Sequence, residues 1–213
     1  DKARKRFEAI PRANQVEYPQ RKVPYSANSR AAVDVAYEDF LALCNHRRSV
    51  RWFNPKKVSH AKIDAALLAA RQSPSACNRL PYEFRIFDDP EMVKKVAGLP
   101  FGAVGYSHNI PTVAVVVGKL DHYASSRDRH AIYIDSALAA MPFMLALETM
   151  GISSSVINWP DFEPLEIKMQ KTLGLSIAER PIMLIAIGYA DPKGHIPYSQ
   201  KKELDTIRSF NKA

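Results

Sequence analysis

Apolar positions recur along the chain with two periods, which together predict helices alternating with short strands. From Tyr37 onward, Phe40, Leu41 and Cys44 follow helical spacing. Short apolar runs rich in β-branched residues, typical of strands covered on both faces, stand between the helical stretches. The predicted helices begin at Tyr37, Ser59, Pro90, Tyr133 and Pro164, and the predicted strands cover residues 84–87, 113–117, 153–157 and 182–187.

Residue types that start or stop helices mark several of these ends. Ser59 is a typical N-cap, and Pro164 suits the first turn of a helix. Gly151 and Gly174 are expected to end the helices before them. Pro142 lies inside the long apolar helix and is expected to kink it or to remove one backbone hydrogen bond. Helices outnumber strands, which indicates an α+β fold with a small buried sheet wrapped by helices.

The two ends of the chain follow neither pattern clearly. Residues 1–36 are interrupted by prolines and are predicted to form an extended arm, with residues 37–213 as the folded domain. The first thirty residues hold eight Lys or Arg against three acidic residues. Residues 200–210 are predicted to be either a terminal helix or an extended tail.

Composition and charge exclude several classes of protein. The 213 residues are 46% hydrophobic, which is too apolar for a disordered chain. The net charge of +8 is compatible with nucleic acid, with an anionic cofactor or with simple solubility. Because no aromatic-rich RNA motif or helix-turn-helix accompanies the basic arm, we expect no nucleic-acid partner.

The cellular location and the metal content of the protein can be predicted from a few charged residues, cysteines and histidines. The apolar stretch 134–152 contains Asp135, Pro142 and Glu148, so no membrane span is expected. The charged first residues resemble no secretory segment. Two cysteines build no disulfide scaffold, which favours the cytoplasm, and scattered histidines predict no metal site.

The glycines restrict how a phosphate could be held. Only eight are present, and none forms GxGxxG or GxxxxGK. Cationic side chains would therefore have to bind any phosphate, and Arg47, Arg48, Ser49 and Arg51 form the densest such cluster. The alternative is a solvated basic helix end, where cations complement the helix dipole.

A second candidate region connects a helix to a strand at residues 74–84. Asn78 carries both a donor and an acceptor, which suits the imide edge of a heteroaromatic ring. A turn-stabilising asparagine is the alternative. Cys77 has no cation or histidine near it in sequence to activate its thiol and is expected to fill space.

Taken together and in order, these segments resemble the FMN-dependent nitroreductase family over about residues 38–208. The resemblance rests on RRSVRWFNPKKV, ARQSPSACNRLPYEF, IDSALAAMPFMLALETMGISSSVINWPD, LGLSIAERPIMLIAIGY and SQKKELDTI. It implies a small, mostly antiparallel sheet and an interlocked homodimer with two FMN molecules at the subunit interface. The implied FMN-binding residues are Arg47, Arg48, Ser49, Arg51, Asn78, Ile157, Asn158, Trp159, Lys201 and Lys202.

The implied activity is hydride transfer from NAD(P)H to FMN and then to a small organic acceptor, in ping-pong order. Flavin N5 would carry the chemistry, so no catalytic side chain is assigned. Nitro compounds, quinones and enones remain open as acceptors. The alternative is a flavin-binding protein of the same fold with a role in flavin storage, sensing or cleavage.

The sequence departs from the family pattern around the implied substrate pocket. The usual N-x-Q-P-W is Asn78-Arg79-Leu80-Pro81-Tyr82 here, and Trp159 is bulky in a loop that is often glycine-rich. Leu80, Tyr82 and Trp159 are therefore predicted to line the pocket and to favour flat or narrow acceptors. The alternative is that these side chains pack against the protein.

Overall fold

The computed structural model describes residue 24 and residues 26–212, and the chain divides into two compact units, Asp1–Ala36 and Tyr37–Ala213. In the first unit, the described residues form one short 3-10 turn, Ala27–Ser29, whose N–H of Asn28 donates to the Ser26 hydroxyl. Of the extended arm predicted for residues 1–36, residues 1–23 and 25 lie outside the described residues.

The second unit contains a four-stranded sheet. Its strands are β1 (Tyr82–Phe87), β2 (Thr112–Lys119), β3 (Ser153–Asn158) and β4 (Glu179–Gly188). They lie in the order β1-β2-β4-β3, and every neighbouring pair is antiparallel. In the centre of the sheet, Val115 pairs with Arg85 on one side and with Leu184 on the other. The predicted α+β class with a small antiparallel sheet is confirmed.

The described residues also form six helices. They are α1 (Tyr37–His46), α2 (His60–Ala70), α3 (Pro90–Ala97), α4 (Ala131–Thr149), α5 (Glu163–Leu173) and α6 (Leu204–Ile207). Gly174 ends α5 in the left-handed conformation at φ 63°, as expected for a C-cap glycine. Helix α4 runs continuously past Pro142. The segment 200–210 contains only the single turn of α6, so both the helix and the tail predicted there are partly right.

The alternation of side chains along β2 separates two apolar cores. Val113, Val115 and Val117 face one core together with residues of α3 and α5. Ala114 and Val116 face the other core, which α2 and α4 cover. The sheet is thus buried on both faces, as the uninterrupted apolar run 113–117 requires.

Helix α4 is apolar on more sides than one sheet can cover. Ile132, Phe143 and Leu147 are fully buried, whereas Ile134 and Leu138 remain 59% and 43% exposed. Together with the preceding turn, α4 is long and apolar enough to cross a membrane, but nearly half of it is buried inside the protein, as in a core helix. Helix α1 buries no residue, and Phe40 on its predicted inward face is 51% exposed. Both helices therefore present an uncovered apolar face.

Candidate functional site

The arginine cluster lies where α1 ends and the chain turns along β3. Ser49 forms a parallel bridge with Ser154, and the N–H of Val50 donates to the Ser154 carbonyl at 3.1 Å. The backbone of the cluster is thereby attached to the outer edge of the sheet. Val50 is buried in the core beneath, which leaves Ser49 and Arg51 on the opposite face of this extended segment.

The three arginines of the cluster have different surroundings. Arg48 folds back and donates to the carbonyl of Arg47 at 2.8 Å, which is the contact expected of a cation at a helix end. Arg51 lies over the ring of Tyr106, with its guanidinium carbon 5.8 Å from the ring centre. Arg47 is half-buried, and its Nε has no hydrogen-bond partner within the described part of the chain.

Asn109 holds the segment that follows the cluster. Its side-chain oxygen accepts from the N–H of Phe53 at 2.7 Å, and its amide nitrogen donates to the carbonyl of Arg51. One side chain therefore satisfies both backbone groups, while the neighbouring groups of Trp52 and Asn54 pair with residues 189–191. The position of Arg51 depends on this clamp.

Glu148, near the C-terminal end of α4, lies beside the start of the arginine cluster, next to His46. Its side chain is 3% exposed, and its Oε2 lies 3.8 Å from His46 Nε2. Its Oε1 has no hydrogen-bond partner in the described chain. Burial raises the pKa of this carboxyl, and the charges of His46 and Arg47 offset the rise only in part.

The loop before β1 holds the second group of predicted residues in an unusual backbone conformation. Cys77, Asn78 and Leu80 all have positive φ, between 48° and 53°. Such a conformation costs about 1–3 kcal/mol for a non-glycine residue and persists only where the surroundings hold it. Asn78 points an exposed side chain from this loop.

Contacts from three directions hold this loop. Asp135, on α4, accepts from the N–H of Ala76 at 3.0 Å and from the hydroxyl of Tyr123 at 2.8 Å. The Ser75 hydroxyl accepts from the N–H of Leu80 at 3.0 Å. Arg79 donates to the carbonyl of His122 and lies over the Tyr123 ring. The loop is strained but firmly supported.

The predicted pocket residues do not share one environment. Leu80 and Tyr82 are half-buried at the start of β1. Trp159 is only 8% exposed, packs in the core beside α5, and donates its indole N–H to Glu166. This placement favours the packing alternative for the Trp159 side chain over a stacking surface for substrate.

The loop after β3 and the two late lysines complete the predicted set. Ile157 is buried and Asn158 is exposed at the end of β3, so the backbone rather than the Ile157 side chain is available to a ligand. Lys201 and Lys202 are exposed, and Lys201 donates to the hydroxyl of Ser199. No contact joins either lysine to the arginine cluster among the described residues.

The predicted residues therefore fall into separate groups. One group surrounds Ser49 near Glu148, and another surrounds Asn78 near Asp135. Asp135 and Glu148 are separated by thirteen residues of α4, which corresponds to about 20 Å of helix. Within one chain, the two groups stand near opposite ends of the same helix.

A comparison of the chain with family models decides the family. The model of the nitroreductase family matches residues 45–106 and 100–189, more than half of the chain. The chain belongs to the nitroreductase family. The resemblance inferred from the sequence motifs is thereby confirmed.

Individual relatives of this nitroreductase-family chain carry several names. It is 27% identical over 210 residues to an NAD(P)H nitroreductase of Bacillus subtilis, covering 81% of this chain and 97% of that protein. It is 21% identical over 215 residues to human iodotyrosine deiodinase 1, covering 87% and 73%. An FMN-dependent nitroreductase from Clostridium difficile shares the fold with a TM-score of 0.70 at 20% identity, covering 81% and 99%.

The unpartnered polar atoms of this nitroreductase-family chain fit an anionic, oxygen-rich group such as FMN. Arg47 Nε and Ser154 Oγ are buried and lack partners in the described residues, and both belong to elements that meet at Ser49. Each is a donor, and Arg51 adds a cation on the same segment. A phosphate or a polar ligand edge is what such donors bind.

Three positions that shape the site were not predicted from the sequence. Asn109 gives no sequence signal, because its partners lie more than fifty residues earlier. Asp135 and Glu148 do carry a signal, since each is a charge within an otherwise apolar helix. No group of three or more potential metal ligands occurs among residues 24 and 26–212.

Proposed function

We propose that this protein is an FMN-dependent oxidoreductase that takes hydride from NAD(P)H and delivers electrons to a small organic acceptor. The observation that carries the proposal is the arrangement along β3. Arg47 and Ser154 carry unpartnered donors beside the bridge between Ser49 and Ser154, and Asn158 lies exposed at the end of the strand, about 13 Å further along. A ligand with a phosphate at one end and a polar ring at the other suits this surface.

Each part of this surface has a separate task in the proposal. Arg47 and Ser49 bind the flavin phosphate and the polar chain, with Arg48, Lys201 and Lys202 adding positive charge. Arg51, held by Asn109, supplies a cation beside the pyrimidine edge, where negative charge develops on reduction. The backbone of residues 157–159 faces N5. When bound, FMN supplies the redox chemistry, accepting hydride from NAD(P)H and passing electrons to the acceptor after the nicotinamide has left.

The proposal includes a homodimer, because the two groups of site residues are far apart within one chain. A separation of about 20 Å along α4 favours a site in which the loop around Asn78 meets the arginine cluster of a second copy. The uncovered faces of α1 and α4 supply apolar surface for such an interface. Permanent dimers bury more than about 2,000 Å². Sedimentation velocity of the yellow protein is expected to show a dimer.

The direct test is the colour and the redox behaviour of the purified protein. We expect a flavin spectrum, release of FMN on denaturation, and bleaching by NADPH without oxygen. Arg51→Ala is expected to lose flavin on dilution, whereas Arg127→Ala, an exposed arginine beside Asp128, serves as the control. A colourless protein that binds no added FMN would contradict the proposal.

A second candidate function follows from the iodotyrosine deiodinase relatives. Reductive removal of iodide from an aromatic ring would use the same flavin surface with a different acceptor. Stopped-flow reoxidation of the NADPH-bleached protein by a quinone, a nitroaromatic, an enone and iodotyrosine separates the candidates. Flavin that binds but is not bleached by NADPH would favour the storage, sensing or cleavage role instead.

We also place the protein in the cytoplasm. Its two cysteines, Cys44 and Cys77, are both free, as is usual in a reducing compartment. Fractionation of the native source with an antibody is the measurement that checks this.

A further inference from the structure

We propose that Glu148 is a positioning residue that orients the Arg47 guanidinium toward the flavin phosphate. The inference rests on the proposed function and adds a residue that the sequence motifs do not assign. Glu148 lies near the end of α4 with 3% of its side chain exposed. A buried carboxylate is expensive unless it is paired, so its presence here needs a partner.

The available partner is Arg47. Its Nε and the Oε1 of Glu148 are both buried and both lack a hydrogen-bond partner in the described chain. Arg47 directly follows His46, whose Nε2 lies 3.8 Å from the Oε2 of Glu148, and the charge of Arg47 lowers the pKa of the Glu148 carboxyl. One is a donor and the other an acceptor, so a hydrogen bond between them would satisfy both.

Such a contact would leave the rest of the guanidinium free. An arginine presents five N–H donors in a planar fork. A carboxylate that holds the Nε edge leaves the two terminal nitrogens in a defined direction for an oxyanion. Glu148 would then act on the ligand only through Arg47.

The other cations near this end of α4 are occupied or solvated. Arg48 donates to carbonyls at the end of α1. Lys62, on α2, donates to the Met150 carbonyl and to the Tyr189 hydroxyl. His46 lies 3.8 Å from Glu148, but 75% of its side chain is exposed. Arg47 is therefore the cation that the Glu148 carboxylate can orient.

A double-mutant cycle tests this coupling. Full-length protein carrying FMN is diluted, and the flavin fluorescence recovered on release gives the Kd. We expect Glu148→Met and Arg47→Gln each to weaken FMN about 10-fold, and the double variant to be no weaker than the worse single variant. Independent losses that multiply to about 100-fold would overturn the inference. Glu148→Gln keeps one acceptor and is expected to lie between wild type and Glu148→Met.

Two further readouts separate positioning from a merely structural role. Replacing a buried, incompletely paired charge by an apolar side chain is often stabilising, so Glu148→Met should raise Tm by about 2–4 °C while it weakens FMN. A lower Tm together with lost flavin would instead indicate a structural role and overturn the inference. Riboflavin, which lacks the phosphate, should bind wild type and Glu148→Met equally, and an equal loss for both ligands would also contradict it.

The controls keep this inference distinct from the proposed function. Glu91→Gln, an exposed carboxyl on α3, is expected to change neither Kd nor Tm. Wild-type protein that holds FMN but gives an additive cycle overturns the role of Glu148 alone. Wild-type protein that binds no FMN overturns the proposed function, and the role of Glu148 with it.

Discussion

Helix α4 carries two buried carboxylates whose surroundings differ. Asp135, in the N-terminal part, accepts from the backbone N–H of Ala76 at 3.0 Å and from the Tyr123 hydroxyl at 2.8 Å. Glu148, near the C-terminal end, has an Oε1 without a partner among the described residues and an Oε2 that is 3.8 Å from His46. As whole residues, Asp135 is 3% exposed and Glu148 is 8% exposed. Burial is therefore nearly equal, and only the partners differ.

The difference separates a structural clamp from a group kept for binding. Hydrogen bonds offset the cost of burying Asp135, and through them it holds a loop whose backbone is strained at Cys77, Asn78 and Leu80. A buried group left unpaired costs about 1–3 kcal/mol. The Oε1 of Glu148 has no such partner within the described chain, which is consistent with a role in holding Arg47 for an anion.

The largest effect is expected from removing the clamp. Asp135→Ala leaves the Ala76 N–H and the Tyr123 hydroxyl without their acceptor and releases the strained loop. We expect a loss of about 3 kcal/mol in the free energy of unfolding, measured with urea at pH 7. Asp64→Ala, an exposed residue of α2, should stay within about 0.5 kcal/mol of wild type. A loss as small as that of the control would contradict the clamp.

A smaller effect is expected from removing the Tyr123 hydroxyl, one of the two groups that donate to Asp135. Tyr123→Phe keeps the ring beneath Arg79 and leaves the Ala76 hydrogen bond to Asp135, so the expected loss is about 1 kcal/mol. Burial, followed by the hydrogen bond to Asp135, raises the pKa of Tyr123 to about 12. Spectroscopic titration of tyrosinate should show this late-titrating tyrosine in wild type and an earlier one in Asp135→Ala. An unchanged titration would break the link between the two residues.

Much of the fold was predictable because its signals are local. The apolar runs that became β2 and β4 and the glycine that ends α5 depend on neighbours in sequence. The strands were predicted too short, and β4 begins at Glu179 rather than at 182. Its first residue, Glu179, pairs with Arg85 of β1 and Lys119 of β2, and Arg180 follows it, so this end of β4 lacks the apolar pattern of a buried strand.

The site was less predictable because its deciding contacts join distant segments. In sequence, Asp135 and Glu148 look alike, since each is an acid inside an apolar helix. Only the approach of the loop at Ala76, fifty-nine residues earlier, distinguishes them. Trp159 gave a similar ambiguity, because an indole suits both a pocket wall and a core, and its hydrogen bond to Glu166 is what indicates the core.

The smallest expected effect is a difference in the pH dependence of stability between Glu148 and Glu179, a paired carboxyl on β4. The N–H of Ser176 is the main cause that lowers the pKa of Glu179, and Arg85 and Lys119 add to it. Glu179 therefore stabilises the fold above its ordinary pKa of 4.5, and this contribution is lost as pH falls through the lowered value.

The contribution of Glu148 to stability changes with pH in the opposite direction, because burial raises the pKa of Glu148 from the same ordinary value. Its contribution is most favourable below pH 4.5 and is lost as pH rises through the raised value. The measurement is the free energy of unfolding in urea between about pH 3.5 and 8, for wild type, Glu179→Gln and Glu148→Gln. It should show the two opposite pH dependences. At neutral pH, Glu179→Gln should be less stable than wild type and Glu148→Gln more stable, by about 1 kcal/mol each. Both differences should shrink as the solution is acidified, and two differences of the same sign would show that the carboxyls of Glu148 and Glu179 are held alike.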